Sequence, residues 1–183
     1  MASASWSQAA QAQTPPRVLM RTDLGDIIIE VYTAQAPITA GNFLRYVDEE
    51  RLDSASFYRA VTLHNQPNDS VRIEVIQGGL HGHRDMVLPR IVHETTDVTG
   101  IAHLDGTLST ARAAVGTASS EFFICIGDQP ELDYGGGRNA DGQGFAAFGR
   151  VVEGMEVVRT IQSGAVRGQM LEEPVRITAV TRL

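Results

Sequence analysis

The sequence predicts a mainly β fold carrying two amphipathic helices, and three observations support this. Short apolar runs rich in β-branched and aromatic residues recur between turn residues, at 17–22, 27–32, 56–61, 73–79, 122–126, 145–152 and 172–183. Only two stretches carry helical spacing, one opening at Pro37 and one around Val157. Nothing repeats at a fixed period, and no composition shift marks a second domain.

Taken in order, the run 17–22 and the run 27–32 flank Asp23-Leu24-Gly25-Asp26, a hairpin signal. Pro37 opens a helix, where its missing N–H is harmless. Ala40, Phe43, Leu44 and Val47 then fall on one face, with Arg45, Asp48, Glu49 and Arg51 off it. Ser56-Phe57-Tyr58-Arg59-Ala60-Val61 reads as a strand. Asn65-Gln66-Pro67-Asn68-Asp69 is loop, and a strand resumes at 73–79, ending Gln77-Gly78-Gly79. Phe122-Phe123-Ile124-Cys125-Ile126, stopped by Gly127-Asp128, reads as a buried strand. Its successive residues face opposite sides, so Phe122 is expected in the core when Phe123 is not. A glycine-rich rim follows, Gly135–Gly144, then the strand 145–152. In the second helix Val157, Val158 and Ile161 are the buried set, with Gly164 as the stop. The closing run alternates, with Val175, Ile177 and Val180 inward.

Bulk properties narrow the function. The 183 residues suit one domain with a full core, and 43% hydrophobic content is ordinary for a globule. A formal net charge of -7 disfavours nucleic acid and anionic membrane as partners. No stretch is long and apolar enough to span a membrane. The single cysteine, Cys125, sits inside an apolar run and has no intrachain disulfide partner, so the redox compartment stays undecided. Residues 1–16, rich in Ala, Ser and Gln, are expected to form a disordered arm ahead of a domain at 17–183. They contain no apolar core of a signal peptide. Ala10-Gln11-Ala12 nevertheless has the small-residue pattern of a cleavage site. A trimmed signal peptide and a periplasmic location are therefore expected, the alternative being a flexible tail on a cytoplasmic protein.

Several stretches together resemble the cyclophilin family of peptidyl-prolyl isomerases. SSEFFICIG with FAAFGRVVEGMEVV is similar to the family's SQFFIC and VFGKVxEGMxVV, and APITAGNFLRYV to its APxTVxNFLxYV helix. FYRAV resembles the strand carrying the family's arginine, VIQGG its partner strand, and GTLSTAR its G-x-L-S-M-A-N strand. The run 81–97 is harder to read, although Glu94 stands where the family has a glutamate. The resemblance covers about 17–183, with insertions at 62–72 and 134–144. It implies a closed antiparallel β-barrel capped by two helices, an architecture that leaves no sheet edge open. It implies an isomerase acting on proline-containing polypeptides and assisting folding, without metal or cofactor, and expected as a monomer. Arg59 is the implied catalytic residue. Phe123 and Leu132 match positions lining the proline pocket, and Gln77 the glutamine beside the arginine, placed to orient the substrate carbonyl. The backbone at Arg112, after Ala111, matches a position that pairs with bound peptide.

The departures lie in the pocket. Val75 replaces a methionine, Glu121 a glutamine, Phe145 a histidine and Arg112 an asparagine, while Glu74 and Glu131 replace aromatics. These substitutions predict a more acidic pocket with a different rim, and pairing of Glu121 with Arg112 or Arg59. They also keep a second reading open, a non-catalytic module that binds proline-containing or unfolded chains. Retention of Arg59 favours catalysis. The glycine-rich rim lacks the Lys-Ser/Thr ending of a phosphate loop, and Asn139-Ala140-Asp141-Gly142 lacks most ligands of a calcium loop. His81-Gly82-His83 has no evident third metal ligand.

Overall fold

A computed structural model describes residues 14–183. The arm expected over 1–16 therefore lies outside the described residues except for 14–16, where the carbonyl of Pro16 accepts from Val31 N at 2.9 Å. Strand β1 (Arg17–Thr22) turns into β2 (Gly25–Val31) with Thr22 opposite Gly25, so the turn proper is Asp23-Leu24. Thr22 Oγ1 closes it, donating to Gly25 O at 2.7 Å and accepting from Leu24 N at 3.1 Å. Gly25 has φ +137, and a Cβ there would meet the Val157 side chain at 2.9 Å, so glycine is required twice over.

Helix α1 (Pro37–Asp48) starts on proline and buries Ala40, Phe43, Leu44 and Val47, with Thr39 and Tyr46 beside them. Its N-cap residue, Ala36, makes no side-chain cap. Glu94 supplies one from across the fold. Its carboxylate accepts from Thr39 N at 2.7 Å, Thr39 Oγ1 at 2.6 Å and Ile38 N at 3.2 Å, which places a negative charge on the helix N-terminus.

The remaining elements are β3 (Ser56–Val61), β4 (Val75–Gly79), a single helical turn α2 (Thr96–Thr99), β5 (Thr107–Thr110), β6 (Phe122–Cys125), β7 (Ala146–Glu153), α3 (Met155–Gln162), β8 (Val166–Arg167) and β9 (Met170–Arg182). Eight antiparallel strands run in the order β1-β2-β7-β5-β6-β4-β3-β9, and β9 pairs back onto β1 through Val18 and Arg182. This is the expected closed barrel. A short hairpin, β8 with the start of β9, extends beyond it. The sequence reading starts the last strand at 172 and omits the hairpin. Pro174 explains the difference: it falls in an irregular stretch where the pairing partner jumps from Val175 to Met170.

The core fills the barrel and continues under α1 and α3. Four phenylalanines form a chain of ring contacts in it: Phe122 meets Phe43 edge-on at 5.9 Å and Phe57 at 5.7 Å, and Phe43 meets Phe148 at 5.1 Å. Val61, Ile73, Val75, Phe123, Cys125 and Leu132 form a second, smaller apolar cluster. The period of two in β4 and β6 sorts them. Ile76, Phe122 and Ile124 belong to the core, whereas Val75, Phe123 and Cys125 belong to the second cluster.

Candidate active site

The second cluster is the floor of a groove of about 480 Å3. Phe123, Val75 and Leu132 make the apolar base, with Ala111 and Phe145 packed against it. Leu132 arrives on the 3-10 turn Pro130–Leu132, and its carbonyl accepts from Phe145 N at 2.9 Å. Phe145 then stands edge-on to Phe123 at 5.2 Å. Arg59, Gln77, Arg112 and Glu121 line the same groove. All nine residues singled out from the sequence thus meet in one cavity.

A β-bulge aims the polar wall. In the β3–β4 ladder Phe57 faces Gly78 and Arg59 faces Gln77, so Tyr58 is an extra residue. Phe57 and Ala60 remain in the core, while Tyr58 and Arg59 both reach the Gln77 side chain. Gly78 is what lets Phe57 lie flat against β4: a Cβ there would meet its ring at 2.9 Å. Arg59 Nη1 donates to Gln77 Oε1 at 2.7 Å, Nε to Gln169 Oε1 at 3.0 Å, and Nη2 to the same oxygen. Both partners are neutral amides. Burial pulls the Arg59 pKa down, with the Arg138 charge adding to it, yet a guanidinium stays protonated. Three of its five N–H groups are engaged, which leaves two for a ligand.

Gln77 is committed at both ends. Its carbonyl accepts from Arg59, and its Nε2 donates to Tyr58 Oη at 2.7 Å. It therefore orients the guanidinium, and the second N–H of its Nε2 has no partner among the described residues. Tyr58 Oη in turn donates to Glu121 Oε2 at 2.5 Å, and Ser120 Oγ donates to Glu121 Oε1 at 3.0 Å. Burial, followed by the Glu121 hydrogen bond and charge, holds the Tyr58 phenol far above its ordinary pKa, so it remains a donor. Glu121 thus pairs with neither Arg59 nor Arg112, contrary to expectation. Its carboxylate is drawn instead into the space over Gly79, where a Cβ would meet it at 2.7 Å.

Arg112 forms the opposite wall. Its Nη1 and Nη2 donate to Asp141 Oδ2 and Oδ1 at 2.7 and 2.8 Å, and its Nε donates to Gly144 O at 2.8 Å. The guanidinium lies 5.3 Å from the Phe145 ring centre. The Arg112 hydrogen bond, then one from Gln143 N, brings the Asp141 carboxyl down to about 2. His93 Nε2 donates to Gln143 O at 3.0 Å, a further tie on this rim. No described residue pairs with the backbone of Arg112 itself, whereas the neighbouring Ala111 N donates to Glu121 O at 2.9 Å.

The expected acidic pocket is not found. The groove lining holds four guanidinium groups, Arg59, Arg90, Arg112 and Arg138, and one carboxylate, Glu121. Glu131 turns away, its Oε2 accepting from Gly137 N at 2.7 Å, and Glu74 sits before β4 with its N–H on Gln129. Sequence reasoning missed Tyr58, Gln169, Arg90 and Arg138. Tyr58 adjoins Arg59, and a bulge was the signal needed. Gln169 and Arg138 arrive on an unforeseen hairpin and an inserted loop.

Beneath the floor, His103 is buried with its ring stacked 5.9 Å from that of Phe123. Its Nδ1 lies 2.6 Å from Asp133 Oδ1 and its Nε2 2.9 Å from Ser109 Oγ. The order of groups imitates a nucleophile triad, but Ser109 is 0% exposed, out of any substrate's reach. The set fixes the 3-10 turn to β5. Cys125 is also buried, its thiol pKa pushed well up by desolvation, and offers no thiolate chemistry. Among the described residues no cluster of three His, Cys, Asp or Glu side chains is arranged to hold a metal.

The chain and its fold have known counterparts. The family described as cyclophilin type peptidyl-prolyl cis-trans isomerase matches residues 17–182. The chain belongs to that family. A peptidyl-prolyl cis-trans isomerase of Acinetobacter baylyi is 32% identical over 181 residues, spanning 94% of this chain and 88% of that protein. Peptidyl-prolyl cis-trans isomerase B of Escherichia coli is 32% identical over 151 residues, spanning 81% and 85%. A cyclophilin type isomerase from Cryptosporidium parvum has the same fold, with TM-score 0.70, 18% identity and coverage of 92% and 98%. As a family member the chain is an isomerase of X-Pro peptide bonds, and the groove joins an apolar floor to the Arg59 donor.

Proposed function

We propose that this cyclophilin speeds cis/trans exchange by seating the proline ring on Phe123, Val75 and Leu132 and donating to the twisted amide from Arg59. Rotation about X-Pro loses amide resonance, with a barrier of roughly 18–20 kcal/mol, and no bond is broken. The nitrogen gains lone-pair character at the top of that barrier, so a charged donor aimed at it stabilises the twisted state more than either planar one. The observation that carries this reading is the support of Arg59. Its guanidinium is fixed by two neutral amides, so its charge is not cancelled and two donors remain. The unpaired backbone at Arg112 suits an extended peptide laid across the groove, with Phe145 as a wall over the ring.

The groove is complete within one chain, which supports a monomer as the working form. Slow prolyl exchange limits many folding reactions, so assistance to folding is the role proposed. The compartment proposed is the periplasm, on the strength of the Ala-rich N-terminal segment alone; fractionation tests it.

The test is exchange of a short Ala-Pro-Phe peptide followed by NMR. Wild type accelerates exchange, and Arg59→Ala loses about 10²-fold or more while still binding the peptide. Equal acceleration by the variant overturns the role of Arg59. Binding without acceleration by the wild type makes the groove a binding module instead.

A further inference from the structure

Two insertions meet at one corner of the groove. Arg138 and Asn139, on the rim loop, line it together with Arg59. Asp69 and Val71, on the loop between β3 and β4, hold Arg138 from behind: its Nη1 donates to Val71 O at 2.7 Å and lies 3.3 Å from Asp69 Oδ2. Among the described residues nothing pairs with Nε or Nη2, so one edge of the guanidinium fork is open. The side chain is only 15% exposed, so its charge is poorly screened. Asn139 adds a second sign, because its Nδ2 is buried with no hydrogen-bond partner.

This corner has donors and no matching acceptor. Arg59 is held by amides alone, and Arg138 has a single carboxylate partner that is 42% exposed. The one carboxylate in the lining, Glu121, is already taken by Tyr58 and Ser120. Two guanidinium groups facing one cavity repel each other unless an anion comes between them. Their forks match a carboxylate in shape, and charge-assisted bonds of this kind are about twice as strong as neutral ones.

We propose that Arg138 and Asn139, beside Arg59, form a carboxylate-reading corner that makes this isomerase select proline segments flanked by Asp or Glu, the free donors of Arg59 staying with the prolyl amide. The inference rests on the groove being the peptide site. Arg138 is the specificity-determining residue, and Asp69 is an internal competitor for its charge.

The experiment uses acetylated and amidated peptides, which have no terminal charge. Ala-Pro-Glu is compared with Ala-Pro-Gln, and Glu-Pro-Ala with Gln-Pro-Ala. Binding is read by NMR titration and isomerisation by exchange, on the same samples. In one pair the Glu peptide binds about tenfold more tightly than the Gln peptide. Arg138→Ala removes that difference, and Asp69→Asn enlarges it. Equal binding of Glu and Gln in both pairs overturns the proposal, as does a preference that survives Arg138→Ala. If Arg138→Ala loosens the rim loop, Asp69→Asn decides alone: a larger preference supports the proposal, and an unchanged or smaller one overturns it. A Glu preference without any catalysed exchange would support the corner while refuting the enzymatic reading of the groove.

Discussion

Phe122 and Phe123 are neighbours in β6, nearly equal in burial, and belong to different parts of the molecule. Phe122 is surrounded by Phe43, Phe57 and the barrel interior. Phe123 lies over His103 and under open space, with Phe145 at its edge. The inner face of the wall is closed on all sides and carries stability. The outer face is closed only from below, and its unfilled side is the site. One strand serves both because its side chains alternate, so a single register ties the core to the groove.

The sharpest break of this comparison is Phe122→Ala. A cavity that neither water nor neighbours fill well is left in the core, and a loss of about 3–5 kcal/mol is expected in denaturant unfolding. Exchange activity per folded molecule stays near wild type. Phe123→Ala reverses the pattern. The hole it leaves joins the groove and is wetted, so the stability loss is smaller. The proline loses its apolar seat, and kcat/KM falls by roughly tenfold to a hundredfold, in line with about 1.5–3 kcal/mol for burying a side chain of this size. If the two variants lose stability and activity in the same ratio, the two faces are not separate in function.

The polar wall offers a finer test. Gln169 has no role in the core, and it touches Arg59 by two hydrogen bonds to one oxygen. In Gln169→Ala the guanidinium keeps only Gln77 as a guide. A drop in kcat of about fivefold to tenfold is expected, near the 1–1.5 kcal/mol of one such bond, with KM little changed. A change in KM alone would show that Gln169 shapes the cavity and does not position the arginine.

How much of this was legible in the chain follows from the range of each signal. Alternation and helical spacing are local, so the strands, α1 and α3, and the division of Phe122 from Phe123 could be read directly. The nine groove residues came from motif resemblance, and the fold brings them together. Contacts between distant segments had no local signal. The Glu94 cap on α1 joins residues more than fifty positions apart, and Gln169 meets Arg59 across 110. The acid–base guesses failed for the same reason. Glu121 and Arg112 look like partners by chemistry, but a bulge at Tyr58 and a tight turn of the rim loop gave each a nearer one, Tyr58 and Asp141.

That last pair gives the smallest predicted effect and the most specific one. The Asp141 carboxyl is held at about 2 by Arg112 and Gln143 N, against an unfolded value near 3.9. A carboxyl lowered in the folded state favours that state above the unfolded value, and the advantage fades as pH falls from about 4 towards 2. The group is exposed, so the effect is local: the rim loop comes free of Arg112 while the barrel stays closed. A carboxyl titration by NMR should find the Asp141 midpoint near 2. Amide exchange at Gln143 should rise over the same window, and in Asp141→Asn it should be high at neutral pH without that rise. An ordinary carboxylate midpoint for Asp141 would mean that Arg112 does not clamp the rim in solution. The contrast between a neutralised Arg112 and an available Arg59 would then lose its basis, because both guanidinium groups would be free to meet the substrate.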